Sequence, residues 1–204
     1  MAARSNAASE LTRLWLEYRH GCVVRESLQV PVPRNYSDID FAGIHRALGT
    51  FELPDGSVVG PRIIVETKDE HDGPSGREFG NLLRADLEKL SSRGVIERNT
   101  TGVKFTMLKE EHFDVAREFF ESDEFDRIFV VHALDEATRT EVVPSLAQNH
   151  RIHWITITEL ASDLHDWYRA SDRPTRISLR NTLAGDLFHL LVGFCGFGIE
   201  ERAL

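Results

Sequence analysis

Apolar positions recur every three or four residues in the first predicted element and at alternate positions in the elements that follow. Leu11, Leu14 and Tyr18 share one face of an amphipathic helix over 9–19. Val24, Glu26, Leu28 and Val30 then alternate with residues of the other face, which is typical of a strand. The pattern of the first third predicts one helix at 9–19 and three strands at 22–32, 37–44 and 62–68.

The rest of the chain alternates short apolar runs with helical patterns. It predicts helices at 77–90, 111–121, 135–148 and 159–168, an extended piece at 103–108, and strands at 127–134 and 151–158. A linker at 172–176 is expected to lead into a last helical segment at 179–194. Strands that alternate with helices favour parallel pairing, because parallel strands need a crossover. We therefore expect a mixed α/β sheet.

Composition limits the class of protein. The 204 residues are 41% hydrophobic and 28% charged, as in a globular protein of one domain, or of one domain with an appendage. No apolar run reaches the roughly 18 residues of a membrane span, so we expect no membrane partner. Two cysteines are too few for a disulfide framework, which favours a cytoplasmic location. The net charge of -9 argues against a large uniform basic surface, although it leaves a metal-dependent nuclease open.

The candidate chemistry lies at the ends of two predicted strands. Asp38 and Asp40 lie two apart on one strand, and Glu66 and Lys68 lie two apart on the next, so each pair is expected to share a face. If these strands pair, one aspartate comes within a few ångström of Glu66, with the Lys68 ammonium beside both. Carboxylate oxygens suit a hard cation such as Mg²⁺. The cation would stabilise charge on a reacting phosphate, while Lys68 would orient or help to deprotonate the attacking water.

This arrangement resembles the signature of the PD-(D/E)XK nuclease superfamily: an Asp strand, a spacer of twenty to thirty residues, and an apolar strand ending Glu66-Thr67-Lys68. The preceding helix resembles the first element of the Mrr-like and resolvase-like members. The resemblance implies a restriction-endonuclease-like mixed β-sheet flanked by helices, with an αβββαβαβ core. It also implies that Asp40, Glu66 and the Thr67 carbonyl bind the metal, that Lys68 lies at the water, and that Glu10 is an accessory ligand. No proline precedes Asp40, and Asp38 remains the alternative ligand.

Structural interpretations remain beside the functional ones. Asp38 and Asp40 could belong to a turn, and Glu66 and Lys68 could form an exposed ion pair. Glu10 could be an ordinary acidic residue of a first helical turn. The acidic run at 69–72 favours a solvated loop.

The sequence thus predicts a nuclease-like domain over 1–170 and a helical C-terminal extension over 171–204, packed on the domain or at a dimer interface. The expected activity is Mg²⁺-dependent phosphodiester hydrolysis, with Mn²⁺ as a substitute metal and DNA preferred to RNA, in an endonuclease of restriction or defence type. Arg77 and Arg84 share a helix face and are candidate phosphate contacts. Cutting both strands of a duplex favours a homodimer. The alternatives are a catalytically inactive nuclease-fold binding module or accessory subunit, and an unrelated α/β enzyme.

Overall fold

The computed structural model describes residues 7–32, 35–68, 85–86 and 106–194. The described strands are β1 Cys22–Val32, β2 Asn35–His45, β3 Phe51–Glu52, β4 Val58–Val59, β5 Arg62–Lys68, β6 Asp126–Val131 and β7 Ile152–Thr156. The α-helices are α1 Ala7–Leu14, α2 Glu110–Phe120, α3 Val143–His150, α4 Ile157–Ala170, α5 Arg173–Leu179 and α6 Leu183–His189. Wider π-helical turns extend α1 over Trp15–Arg19, precede α3 over Thr138–Val142 and extend α6 over Leu190–Phe194, and a 3₁₀ turn spans Thr106–Leu108.

Five strands form one mixed sheet in the order β1-β2-β5-β6-β7. The pairs β1–β2 and β2–β5 are antiparallel, whereas β5–β6 and β6–β7 are parallel. Strands β3 and β4 form a separate small hairpin. The crossover from β6 to β7 runs through α3, as parallel pairing requires. The predicted mixed α/β class is confirmed.

Helices cover both faces of this sheet. Ile63 and Val65 of β5 belong to a cluster that includes Trp15 and residues of α4. Ile64, which lies between them, belongs to a second cluster that includes Met107 and residues of α2. Alternate residues of a strand point to opposite faces, so α1 and α2 lie on opposite sides of the sheet. We call them the α1 face and the α2 face.

The long β1–β2 hairpin changes face halfway along its length. On β1, Cys22 belongs to the cluster of the α1 face, whereas Leu28 and Val30 belong to that of the α2 face. The single-face pattern predicted for β1 is therefore wrong. Ser27 has a left-handed φ of 50°, which interrupts the alternation. The register continues from Glu26↔Phe41 to Leu28↔Ile39 without an extra residue, which places Asp40 opposite Ser27 at the bend.

Several predicted boundaries change. The expected linker at 172–176 is instead the start of α5, because Asp172 caps the helix by accepting from Thr175 N and Pro174 occupies its first turn. Of the extended piece predicted at 103–108, the structure describes only Thr106–Leu108, which form a 3₁₀ turn. The segment predicted at 179–194 divides between α5 and α6. Of the helix predicted at 77–90, the structure describes only Ala85 and Asp86, which are helical.

The C-terminal helices share the core of the α1 face. Leu179, Phe188 and Val192 lie in the same cluster as Trp15 and Val65. Four leucines after Thr182 have much of their surface in solvent: Leu183, Leu187, Leu190 and Leu191. In the described part of the chain, no helix has the length and apolar character needed to cross a membrane.

Candidate functional site

Asp40 and Glu66 lie next to each other at the end of the paired region of β2 and β5. The last described backbone pair on this side is Phe41↔Val65, and one further step in the same register places Asp40 opposite Glu66. The carboxylate of Asp40 accepts a hydrogen bond from Thr67 N at 2.7 Å. Glu66 is 4% exposed, and its Oε2 accepts from Met107 N at 3.3 Å. Both carboxylates therefore lie near the α2 face at the carboxyl end of β5.

Lys68 supplies the positive charge of this cluster. Its ammonium is ion-paired with the Glu66 carboxylate, and 38% of the Lys68 side chain is exposed. Burial works to lower the pKa of Lys68, but the charges of Glu66, Asp40 and Asp38 outweigh it and raise the pKa above its ordinary value. Lys68 is consequently protonated at neutral pH and acts as a donor and a positive charge.

The two carboxylates have the chemistry of a cation site. Burial first, and then the nearby charge of Glu66, raise the pKa of Asp40 from its ordinary value of 3.8 to about 6, although the Thr67 amide opposes the shift. A half-buried and a buried carboxylate side by side favour a neutralising cation, and their oxygens are the ligands that Mg²⁺ prefers. Among the described residues, no group of three or more His, Cys, Asp or Glu side chains could hold a metal ion. The candidate ligands are only two such side chains, those of Asp40 and Glu66, together with the backbone carbonyl of Thr67.

Asp40→Asn is expected to stabilise the metal-free protein at alkaline pH. The fold favours protonated Asp40, so this contribution is present below pH about 4 and is lost as the pH rises through about 6. Above that, the buried charge costs up to about 3 kcal/mol. Asparagine removes the charge and keeps an oxygen for Thr67 N. Urea unfolding in EDTA should show the variant about 1–3 kcal/mol more stable at pH 8 and near wild type at pH about 3.5. An equal difference at both pH values would contradict this assignment.

The other predicted site residues are placed differently. Asp38 pairs with Gln29 on β1, and its charge acts on Asp40, Lys68 and His112. The face change at Asp40 means that simple alternation does not describe Asp38 and Asp40 together. Glu10 is 3.0 Å from Arg13 on α1, the helix of the opposite face, so the structure does not bring it to this cluster. Arg77, Arg84 and the acidic run at 69–72 lie outside the described residues.

Sequence reasoning missed His112 on the first turn of α2. Its ring is fully buried, and its Nε2 lies 3.0 Å from Ser37 Oγ on β2. Burial lowers the pKa of His112, against the opposing charges of Glu66 and Asp38, so the ring is neutral at pH 7. Within the part of the chain that the structure describes, its Nδ1 has no hydrogen-bond partner. Spacing along the chain gives no signal for this contact, because 75 residues separate the two partners.

A second polar group lies at the opposite end of the parallel strands. Asp126, which is 3% exposed, accepts from His153 Nε2 at 2.9 Å, from Arg151 at 2.9 Å and from Gly60 N at 2.9 Å. A Cβ on Gly60 would lie 2.8 Å from the Asp126 carboxylate, so glycine allows this approach. The other nitrogen of His153 lies 3.3 Å from Ser57 Oγ. We call this group the Asp126 cluster.

The order Ser57, His153 and Asp126 has the outline of a hydrolase triad, but its protons are arranged differently. The Ser57 hydroxyl donates to Asp55 at 2.7 Å, and Ser57 N donates to the same oxygen. Its proton is therefore not directed at the imidazole, as an activated nucleophile requires. The Asp126 cluster instead ties the β3–β4 hairpin to the sheet.

A cleft of about 800 Å³ lies beside β7. Its lining includes Ser57 and Val58 from the hairpin, Pro144 from α3, and His153 and Trp154 from β7. It does not include Asp40, Glu66 or Lys68. This cleft and the carboxylate cluster are thus separate features. In comparisons with known proteins, the chain matches no protein family, no curated protein and no solved structure.

Proposed function

We propose that this chain is a Mg²⁺-dependent nuclease of PD-(D/E)XK type with a restriction-endonuclease-like fold. The observation that carries the proposal is the approach of Asp40 to Glu66 on adjacent antiparallel strands, with Lys68 ion-paired to Glu66. An ordinary solvated strand end would leave its carboxylate in water, whereas Glu66 is 4% exposed. Placing the half-buried Asp40 carboxylate beside the buried carboxylate of Glu66 is costly, and a functional site gives a reason for that cost.

Each residue of the cluster has a distinct task in this proposal. Asp40, Glu66 and the Thr67 carbonyl would hold Mg²⁺, which supplies positive charge beside the scissile phosphate. Lys68, protonated because of its acidic neighbours, orients the attacking water and offsets the negative charge that develops on phosphate oxygens. In the hydrolysis, the water oxygen would bond to phosphorus and lose a proton to solvent, while the bond from phosphorus to the leaving oxygen would break and that oxygen would take a proton from a water molecule. Mn²⁺ has similar oxygen preferences and serves as the substitute.

DNA is the proposed substrate, and the proposed class is an endonuclease of restriction or defence type. The chain has a net charge of -9, so binding relies on local basic contacts rather than on a uniform basic surface. Arg77 and Arg84 stay predictions for such contacts. Cleavage of both strands needs two sites, which a homodimer provides.

We expect the wild-type chain to elute at twice its mass of 23.2 kDa. Leu183 and Leu187 are 89% and 57% exposed, and Leu190 and Leu191 continue the same uncharged stripe along the helix. A stripe of leucines is complementary to itself, as a two-fold interface requires. Leu183→Glu with Leu187→Glu should produce a folded monomer in light scattering. A wild-type monomer at 50 μM, or a dimer that survives both changes, would contradict this interface.

The proposed activity is tested by incubating the purified chain with supercoiled plasmid, single-stranded DNA and RNA in Mg²⁺, Mn²⁺ or EDTA. We expect cutting of plasmid with either metal and none in EDTA, and loss of cutting in Glu66→Ala and Lys68→Ala. DNA binding without cutting under any metal would replace the proposal with the alternative, a catalytically inactive binding module or accessory subunit. Cutting that persists in both variants would place the active site elsewhere.

A further inference from the structure

One short segment contacts both strands that carry the carboxylates. Met107 N donates to Glu66 on β5 at 3.3 Å, and five residues later His112 Nε2 lies 3.0 Å from Ser37 Oγ on β2. Ser37 lies three residues before Asp40. Residues 107–112 therefore span from one strand to the other beside the carboxylate cluster, and we call them the brace.

The brace is anchored by buried side chains. Met107 and Leu108 are 1% and 2% exposed, and both belong to the core of the α2 face with Ile39 and Ile64. His112 is fully buried, so water does not compete for its contact with Ser37. A hydrogen bond in such surroundings has a stronger orienting effect than one at the surface.

The backbone ladder does not fix the spacing of the two carboxylates. The described β2–β5 pairs run from Ile44↔Arg62 to Phe41↔Val65, and Asp40 and Glu66 lie one step beyond the last of them. At this point the strands are joined by the hydrogen bond from Thr67 N to Asp40. Two neighbouring carboxylates also repel each other, which favours separation of the strands. Contacts outside the ladder must resist that separation.

We propose that His112 is a positioning residue of the candidate metal site. By holding Ser37 while Met107 holds Glu66, it sets the separation of Asp40 from Glu66 and thereby the affinity for a divalent cation. His112 does not touch substrate or metal in this role. The inference rests on the proposed function, since it assumes that these two carboxylates bind the cation. Partners that orient ligands from outside the coordination sphere typically change metal affinity 10–100-fold when they are removed.

The experiment measures binding of Mg²⁺ and Mn²⁺ alone by calorimetry, with the melting temperature of each variant. His112→Leu fills the space without the hydrogen bond, Ser37→Ala removes the partner, and His112→Gln offers an amide nitrogen near the position of Nε2. We expect His112→Leu and Ser37→Ala to weaken metal affinity about 10-fold or more. The metal affinity of His112→Gln should stay within about 3-fold of wild type. The control is His20→Leu, a buried histidine packed on Trp15 of the α1 face, which should lower the melting temperature and leave metal affinity unchanged.

The outcomes separate the two proposals. If wild type binds cation and Glu66→Gln abolishes binding, but His112→Leu and Ser37→Ala bind as wild type, the brace is overturned and the metal site stands. The brace is also overturned if His20→Leu weakens binding as much as His112→Leu does. If wild type binds neither metal, both proposals fail. Should His112→Leu not fold, Ser37→Ala alone decides, because it removes the same hydrogen bond from a half-buried position.

Discussion

Glu66→Gln is expected to reduce metal-dependent cleavage by about 10²–10³-fold while leaving the fold intact. Glutamine keeps the shape of the side chain but removes one of the two charges that would hold the proposed cation, and a loss of about 3–4 kcal/mol in transition-state stabilisation corresponds to that factor. Stability should change little, because Lys68 is partly exposed and Asp40 loses a repelling neighbour. Cleavage rates over a range of Mg²⁺ concentrations, with thermal melts, measure both effects.

Lys68→Met divides the roles within the same site. It removes the charge that competes with a cation for the Glu66 carboxylate, so we expect the rate of cleavage to fall while Mg²⁺ affinity is kept or improved.

The control for Glu66→Gln is Glu118→Gln, which makes the same charge change on the exposed face of α2, away from the carboxylate cluster. The assignment of Glu66 is wrong if its variant retains half of the wild-type rate or if the control loses as much.

Asp126→Asn is expected to cost about 3–5 kcal/mol of unfolding free energy, because the buried carboxylate accepts from three donors and each hydrogen bond to a charged group contributes about 1.5–3 kcal/mol. Asp126 accepts hydrogen bonds from His153, Arg151 and Gly60 N. The NH₂ group of an asparagine in its place would face these N–H donors, with which it cannot form hydrogen bonds. A domain of this size has about 5–15 kcal/mol in total, so the melting temperature should fall by about 10 °C. Urea unfolding at pH 7 measures the loss.

The same effect should depend on pH. Burial works to raise the pKa of Asp126, but its bonds to His153, Arg151 and Gly60 outweigh burial and hold the pKa below its ordinary value. A lowered carboxyl pKa contributes stability that is present above pH about 4 and is lost as the pH falls through the native value. The difference in unfolding free energy between wild type and Asp126→Asn should therefore become smaller at acidic pH. Asp123→Asn, whose side chain is 72% exposed, should change stability by less than about 0.5 kcal/mol. An Asp126 variant that unfolds like this control would contradict the role of the cluster.

The bounds of two strands were predictable from the sequence, whereas the faces of β1 were not. The bounds of β1 and β5 are confirmed as predicted, because Pro31 and Pro33 mark the end of one and the change to charge after Lys68 ends the other. The face change at Ser27 could not be predicted, since it depends on one left-handed residue that is neither glycine nor asparagine. The supposed linker contains two residues that typically start a helix, Asp172 and Pro174. The sequence therefore did carry the signal needed to predict α5.

The candidate site was predictable only in part. The pairing of β2 with β5 brings Asp40 to Glu66, and adjacent strands with polar ends signalled this in advance. The brace and the Asp126 cluster join residues far apart in the chain, 75 residues in the case of Ser37 and His112 and 27 in the case of Asp126 and His153. Such contacts arise from how helices pack on the sheet, and hydrophobic periodicity carries no information about them.

The bend of the outer hairpin also bears on aggregation. Strand β1 is eleven residues long and forms one edge of the described sheet, so a straight, apolar β1 would be a template for pairing with other molecules. Instead its middle carries exposed Arg25 and Glu26, it turns at Ser27, and Pro31 removes a backbone donor near its end. At the opposite edge, all five residues of β7 are buried. Both edges of the described sheet are thus poor starting points for intermolecular β-structure.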